Sequence, residues 1–177
     1  AADHERIRWL AERGLDRDLA PGLEALHLVE AAAPDDSDFR GGIDAARHLM
    51  QHGRRRIAFL GDASSHYPEF QDRYQGACEA QGGEGIVADP ALQIDALNSQ
   101  EAGYDSAKKL IAGGAKFDGI FAASDTIAIG AMNALREHGL DIPRDVAVVG
   151  FDDIPAAGMA HPPLTTIHQD YNLAGEV

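Results

Sequence analysis

Three short clusters in the sequence carry residue types suited to gripping a small hydroxylated molecule. They are Asp72-Arg73, Ser124-Asp125 and Asp152-Asp153, with a polar run at Gly61-Asp62-Ala63-Ser64-Ser65-His66-Tyr67. An ionised carboxylate accepts two hydroxyl hydrogen bonds, an arginine fork holds paired oxygens, and an aromatic ring covers an apolar sugar face. Each residue also has a plainer role. Asp125 can cap a helix, and capping and ligand contact are compatible. Asp152 and Asp153 can serve a turn, although Asp152 is read here as a ligand group. Arg73 can be a surface ion-pair partner. The eight histidines are scattered, and no pair has a zinc-binding spacing. No phosphate loop, dinucleotide fingerprint or Gly-x-Ser-x-Gly elbow occurs, so nothing points to an enzyme.

These clusters need elements that bring them together. Ile57-Ala58-Phe59-Leu60, Gly119–Ala123 and Val146–Val149 are short apolar runs of the kind buried on both faces of a parallel sheet. Helical spacing recurs between them, over about 41–52, 70–81, 99–112 and 125–138, with a further helix over about 3–13. Glycines 14, 53, 82, 113 and 139 end these stretches. Asn98 is the expected cap of the helix at 99, with Glu101 three residues on. A weak strand is expected at Ile86-Val87 and another around Leu26–Val29. The rest of 15–40 and the proline-bearing 151–170 read as irregular. Alternating strands and helices predict a doubly wound α/β sheet with right-handed crossovers. In such a sheet ligands bind beyond the carboxyl ends of the strands, where all three clusters fall.

Composition narrows the function classes. The 177 residues carry 15 Lys and Arg against 29 Asp and Glu, a net charge of −14. A surface that acidic repels phosphate backbones, so this chain is not expected to hold nucleic acid itself. Cys78 is the lone cysteine, which excludes an internal disulfide and a thiolate metal cluster. It shares a helix face with Ala77 and Ala80 and reads as packing. No apolar run has transmembrane length, and the charged start lacks a secretory pattern, so a cytoplasmic location without membrane contact is expected.

Longer motifs carry a resemblance. The segments Phe117–Met132, Gly139–Ile154 and Pro162–Gln169 resemble the lactose-repressor (LacI/GalR) family of transcription regulators. So do Arg47-His48-Leu49 with Gly53–Ala58, and Asp72–Gly76. The order and spacing agree over most of 38–177. Transport-type periplasmic sugar-binding proteins share the fold and are the alternative. Val149-Gly150-Phe151-Asp152-Asp153 with Pro162-Pro163-Leu164-Thr165-Thr166 favours the regulators.

The resemblance implies a periplasmic-binding-protein-like fold of two doubly wound parallel-sheet lobes, with the amino-terminal lobe incomplete. On that pattern residues 1–60 belong to the partial amino-terminal lobe, 61–166 to the carboxy-terminal lobe, and 167–177 cross back. It implies a sugar or related polyol as effector in the cleft, with no cofactor and no metal. The matching positions are Arg73, Ser124, Asp125, Asp152, Tyr171 and Gln169. Ser124 stands where the family usually has asparagine, and Asp38-Phe39 where it has Asp-Asn. A homodimer is implied, through the helix near 70–81 and the segment 151–160. DNA would be met only through a helix-turn-helix domain outside this chain.

Overall fold

The computed structural model describes residues 29–31 and 37–169. They form one six-stranded, fully parallel sheet. Its strands are β1 (Val29–Ala31), β2 (Ile57–Leu60), β3 (Gln93–Ile94), β4 (Gly119–Ala122), β5 (Ala147–Phe151) and β6 (Thr165–Gln169). The helices are α1 (Ser37–Gln51), α2 (Pro68–Gly83), α3 (Gln100–Ala112), α4 (Asp125–Glu137) and α5 (Pro155–Met159). The strand order is β1-β6-β5-β4-β2-β3. From β1 to β3 the chain advances across the sheet, and from β3 to β6 it steps back. Right-handed crossovers therefore put α1 and α2 on one face and α3, α4 and α5 on the other. The direction reverses between β2 and β4, which are paired in register from Ile57 with Gly119 to Leu60 with Ala122.

The strands form where apolar side chains are covered from both sides. Every residue of β2, β4 and β5 is buried. Phe59, Phe121 and Phe151 make a row of rings, with centroids 5.4 Å and 6.4 Å apart. Ala45, Ala46, Leu49 and Met50 bury one face of α1. That helix stops at Gly53, whose φ of +80° only glycine adopts without strain. There Gly53 N–H donates to the Met50 carbonyl and Arg54 N–H to the Leu49 carbonyl, closing the last turn.

Each helix pair crosses on reciprocal glycines. A methyl at Gly42 would strike the Arg73 carbonyl, and one at Gly76 the Phe39 carbonyl. Across the sheet, Gly103 meets the Ile127 carbonyl and Gly130 that of Gln100 in the same way. Backbones approach this closely only where no side chain intervenes.

Several elements differ from the sequence reading. Ile86-Val87 is not a strand, and Val87 is 90% exposed. The strand beside β2 is instead Gln93–Ile94, entered through a 3-10 turn at Pro90–Leu92. Two residues led by glutamine give no apolar run to detect. Ser99, not Asn98, caps α3, its Oγ accepting from Ala102 N–H at 3.0 Å. The stretch 151–170, read as loop, holds α5 and β6. Helix α1 begins at Ser37, inside the stretch read as irregular. The boundary expected at residue 60 falls at the end of β2, inside this sheet, and α1 packs on α2 across it. Likewise, β6 pairs with both β5 and β1 through the boundary expected at 167. The helix expected at 3–13 and the first residues of the strand expected at 26–29 lie outside the described residues. No helix among those described is long and apolar enough to cross a membrane.

Candidate functional site

Helix α2 enters through Pro68, whose missing N–H is no loss in a first turn. One face then buries Phe70, Arg73, Gly76 and Ala77. Arg73 is 5% exposed yet charged, so its donors need partners. Its Nε donates to Asp38 Oδ1 at 2.8 Å, and Nη2 lies 2.8 Å from the same oxygen. Nη1 donates to the Ala123 carbonyl at 2.6 Å, just past the end of β4. Nη2 also reaches Asp152 Oδ1 at 3.5 Å. The guanidinium lies over the Phe151 ring, 3.7 Å from its centroid. Arg73 thus ties α1, β4 and the end of β5 together at the carboxyl edge of the sheet.

Gln169 joins from β6. Its Nε2 donates to Ser37 Oγ at 3.0 Å and to Asp38 Oδ1 at 3.2 Å. Asp38 therefore collects Arg73 and Gln169 on one carboxylate oxygen. Its side chain and that of Asp152 stay 28% and 33% exposed. These are the parts of the cluster that a ligand can reach. Burial pushes the Asp152 carboxyl up; Arg73 pulls it back, and the Asp38 and Glu69 charges push it further.

Asp152 and Asp153 adopt positive φ, 99° and 53°. That region is costly for any residue with a Cβ and is tolerated best by short polar side chains. Asp152 N–H donates to the Ile167 carbonyl at 3.0 Å and Asp153 N–H to Thr166 Oγ1 at 3.2 Å. The turn is therefore fastened to β6.

Ser124 and Asp125 sit behind this wall. Ser124 caps α4, its Oγ accepting from Ile127 N–H at 3.2 Å and donating to Asn98 Oδ1 at 2.6 Å. Asp125 is 0% exposed. Its Oδ2 accepts from Ile154 N–H at 2.8 Å and its Oδ1 from the Thr166 hydroxyl at 2.6 Å. Burial pushes its carboxyl up to about 6; these two hydrogen bonds pull it back, and Asp152 and Asp153 push it up.

Of the sequence-derived residues, Arg73, Asp152 and Gln169 converge around Asp38. Ser124 and Asp125 lie one layer deeper with their polar groups engaged inside the protein. Tyr171 lies outside the described residues. Asp38 and Thr166 were not singled out. Asp38 is the half of the family's Asp-Asn pair that this sequence keeps, the departure being Phe39. For strand β6, which carries Thr166, the only signal in the sequence is its composition, the β-branched run Thr165-Thr166-Ile167 directly after Pro162-Pro163-Leu164.

Among the described residues no three His, Cys, Asp or Glu side chains gather as a metal site. A shallow depression with a cavity volume of only about 20 Å³ lies at the other end of the sheet, lined by His48, Pro143, Val148 and Pro162 among others. It is largely apolar and shares no residue with the Arg73 cluster, which forms a polar wall at the carboxyl edge.

Comparison with known proteins places this chain in a family. The chain belongs to the periplasmic binding protein-like domain family, which matches it over residues 46–177. Its relatives are transcriptional regulators. The HTH-type transcriptional regulator RegA of Clostridium saccharobutylicum is 38% identical over 133 residues, covering 75% of this chain and 40% of RegA. A sugar-binding LacI-family regulator of Escherichia coli, solved with phosphate, superposes with a TM-score of 0.69 at 31% identity, covering 78% of this chain and 52% of that one. The regulator CelR in complex with cellobiose superposes at 0.71 with 33% identity, covering 75% and 40%. The chain thus spans about half or less of the length of these relatives.

Proposed function

We propose that this chain is the effector-binding part of a LacI-type transcriptional regulator, taking a sugar or related polyol against the Arg73 wall. The observation that carries the reading is the buried Arg73 fork, held between Asp38 and Asp152 at the carboxyl edge of a switch-point sheet. Arg73, Asp152 and Gln169 offer the ligand a cation, a carboxylate and an amide. Ser124 and Asp125 form the layer behind them, and Tyr171 supplies a ring. The relatives' names and the sugar-bound and phosphate-bound neighbours support a regulator with a small-molecule effector.

In the whole protein, ligand closure would favour one arrangement of a cytoplasmic homodimer, with surfaces on α2 and α5, and so change how separate DNA-binding segments are presented. An effector shifts that balance only by its difference in affinity for the two arrangements. The chain acts by binding, without catalysis.

Isothermal titration calorimetry tests this with cellobiose, monosaccharides, sugar phosphates and purines. At least one sugar-class probe binds the wild-type chain. Asp152→Asn and Arg73→Ala abolish that binding while circular dichroism stays unchanged. Sugar binding that survives both substitutions overturns the site, and no binder in the panel overturns the ligand class.

A further inference from the structure

The corner that presents Asp152 is held by a residue that cannot itself meet a ligand. Asp125 is fully buried, yet it keeps a carboxylate with two acceptor oxygens. One oxygen holds the Ile154 N–H at 2.8 Å; the other holds the Thr166 hydroxyl at 2.6 Å. Thr166 Oγ1 in turn accepts from Asp153 N–H. A side chain at Gly150 would overlap the Asp125 carboxylate, so the strand is cleared for it. Asp153 thus lies between two N–H groups held by Asp125, one through Thr166 and one directly, and Asp152 lies between the first of these and its own N–H, which donates to the Ile167 carbonyl. Left-handed conformations in such residues persist only where surrounding contacts over-determine them.

We propose that Asp125 is a positioning residue for the effector site: its carboxylate clamps the corner at Asp152–Ile154 against β6 and so sets how Asp152 faces Arg73. The proposal rests on the effector-site reading for its purpose, but the clamp itself is testable without any ligand.

The clamp depends on ionisation. A carboxylate accepts from both partners, whereas a carboxylic acid must donate at one oxygen. Ile154 N–H can only donate, so the proton goes to the Thr166 side. Thr166 Oγ1 then has to accept from Asp125 as well as from Asp153 N–H, and its own proton loses its acceptor. The proton enters near pH 6, because burial pushes the Asp125 carboxyl up to about 6. Other charges face this group. Asp152 and Asp153 approach from the corner, and His168 of β6 lies 3.2 Å from Asp153 Oδ2. Arg73 of α2 acts through Asp152, on which Asp38 of α1 and Glu69 of α2 also act.

A nitrogen-15 NMR titration of the whole chain from pH 5 to 8, without ligand, reads the clamp. In the wild type the amides of Asp153 and Ile154 and the Arg73 Nε–H resonance move together with a midpoint near pH 6. In Asp125→Asn that shared movement is lost, while in His168→Gln it remains. Thr166→Val removes one hydrogen bond to the carboxylate and raises the midpoint. The proposal is overturned if these resonances do not move in the wild type, if they titrate unchanged in Asp125→Asn, or if Thr166→Val leaves the midpoint where it was. Failure here leaves the calorimetric test of the effector site standing, and failure there leaves this one standing.

Discussion

The guanidinium of Arg73 lies over the ring of Phe151, 3.7 Å from its centroid, while its edge nitrogens reach three separate chain segments. A planar cation can do both at once, because the donors lie in the plane and the ring attraction acts perpendicular to it. Lysine concentrates its charge on one nitrogen and cannot stack and fork together. Arg73→Lys therefore keeps the charge but loses the geometry. The expected cost is about 2 kcal/mol, the scale of one or two charge-assisted hydrogen bonds, measured by urea unfolding at neutral pH. Retained stability would mean that charge alone holds α1, β4 and β5 together.

The crossing of α1 on α2 fixes where Arg73 stands. A methyl at Gly42 meets the Arg73 main-chain carbonyl itself, whereas a methyl at Gly103 meets Ile127 in the other helix pair. Neither neighbour is the yielding end of a side chain, so the helices must separate. Overpacking of this kind costs about 1–3 kcal/mol. Gly42→Ala and Gly103→Ala are both expected to lower the urea midpoint by comparable amounts. Only Gly42→Ala should also weaken binding of whichever sugar the calorimetric panel finds. Equal loss of affinity in both variants would show that affinity follows stability rather than Arg73 placement.

The sequence was legible where burial is two-sided and apolar. Ile57–Leu60 and Val146–Val149 announce themselves because each residue is covered by helices, and α4 stands out because Ser124 and Gly139 bracket it. Strand β6 stayed hidden because two of its three buried residues are polar: Thr166 and Gln169 satisfy their groups inside the protein, which leaves Ile167 alone and no apolar run. Strand β3 was hidden because it is only two residues long, Gln93 and Ile94, both partly exposed. At the site, residue types showed which groups could bind a polyol. They could not show which of two neighbouring carboxylates faces outward. Asp125 and Asp152 have the same side chain, and only the path of the chain makes one fully buried and the other a third exposed.

Ser124 carries two local tasks on one hydroxyl. It accepts from Ile127 N–H, which has no partner within the first turn of α4, and it donates to Asn98. Loss of a capping hydroxyl costs about 1 kcal/mol, and an amide oxygen left without its donor adds to this. Ser124→Ala is thus expected to lose about 1–2 kcal/mol in urea unfolding. Ser124→Thr, which keeps the hydroxyl, should recover much of it. If Ser124→Ala unfolds like the wild type, water replaces the hydroxyl at both partners.

Asp125 makes a prediction about stability with a definite sign. Its ordinary value of 3.8 rises to about 6 in the folded protein, mainly through burial. The folded state therefore holds this proton more tightly than the unfolded chain does. The stabilisation from that proton is full below pH 3.8 and is lost as pH rises through 6. The gap between the two values corresponds to about 3 kcal/mol. Asparagine carries no such proton and bears no cost of burying a charge. The stability of Asp125→Asn relative to the wild type should therefore increase between pH 4 and pH 7.5 by about 2–2.5 kcal/mol, part of the gap being already lost at pH 4. Parallel urea unfolding curves at pH 4, 6 and 7.5 read this difference, with the other carboxylates common to both proteins and cancelling. A constant difference across that range would mean that the Asp125 carboxyl titrates alike in the folded and unfolded chain. A gain at neutral pH, together with a loosened Asp152 corner, would show that the charge is kept at a cost to folding because it holds the corner in place.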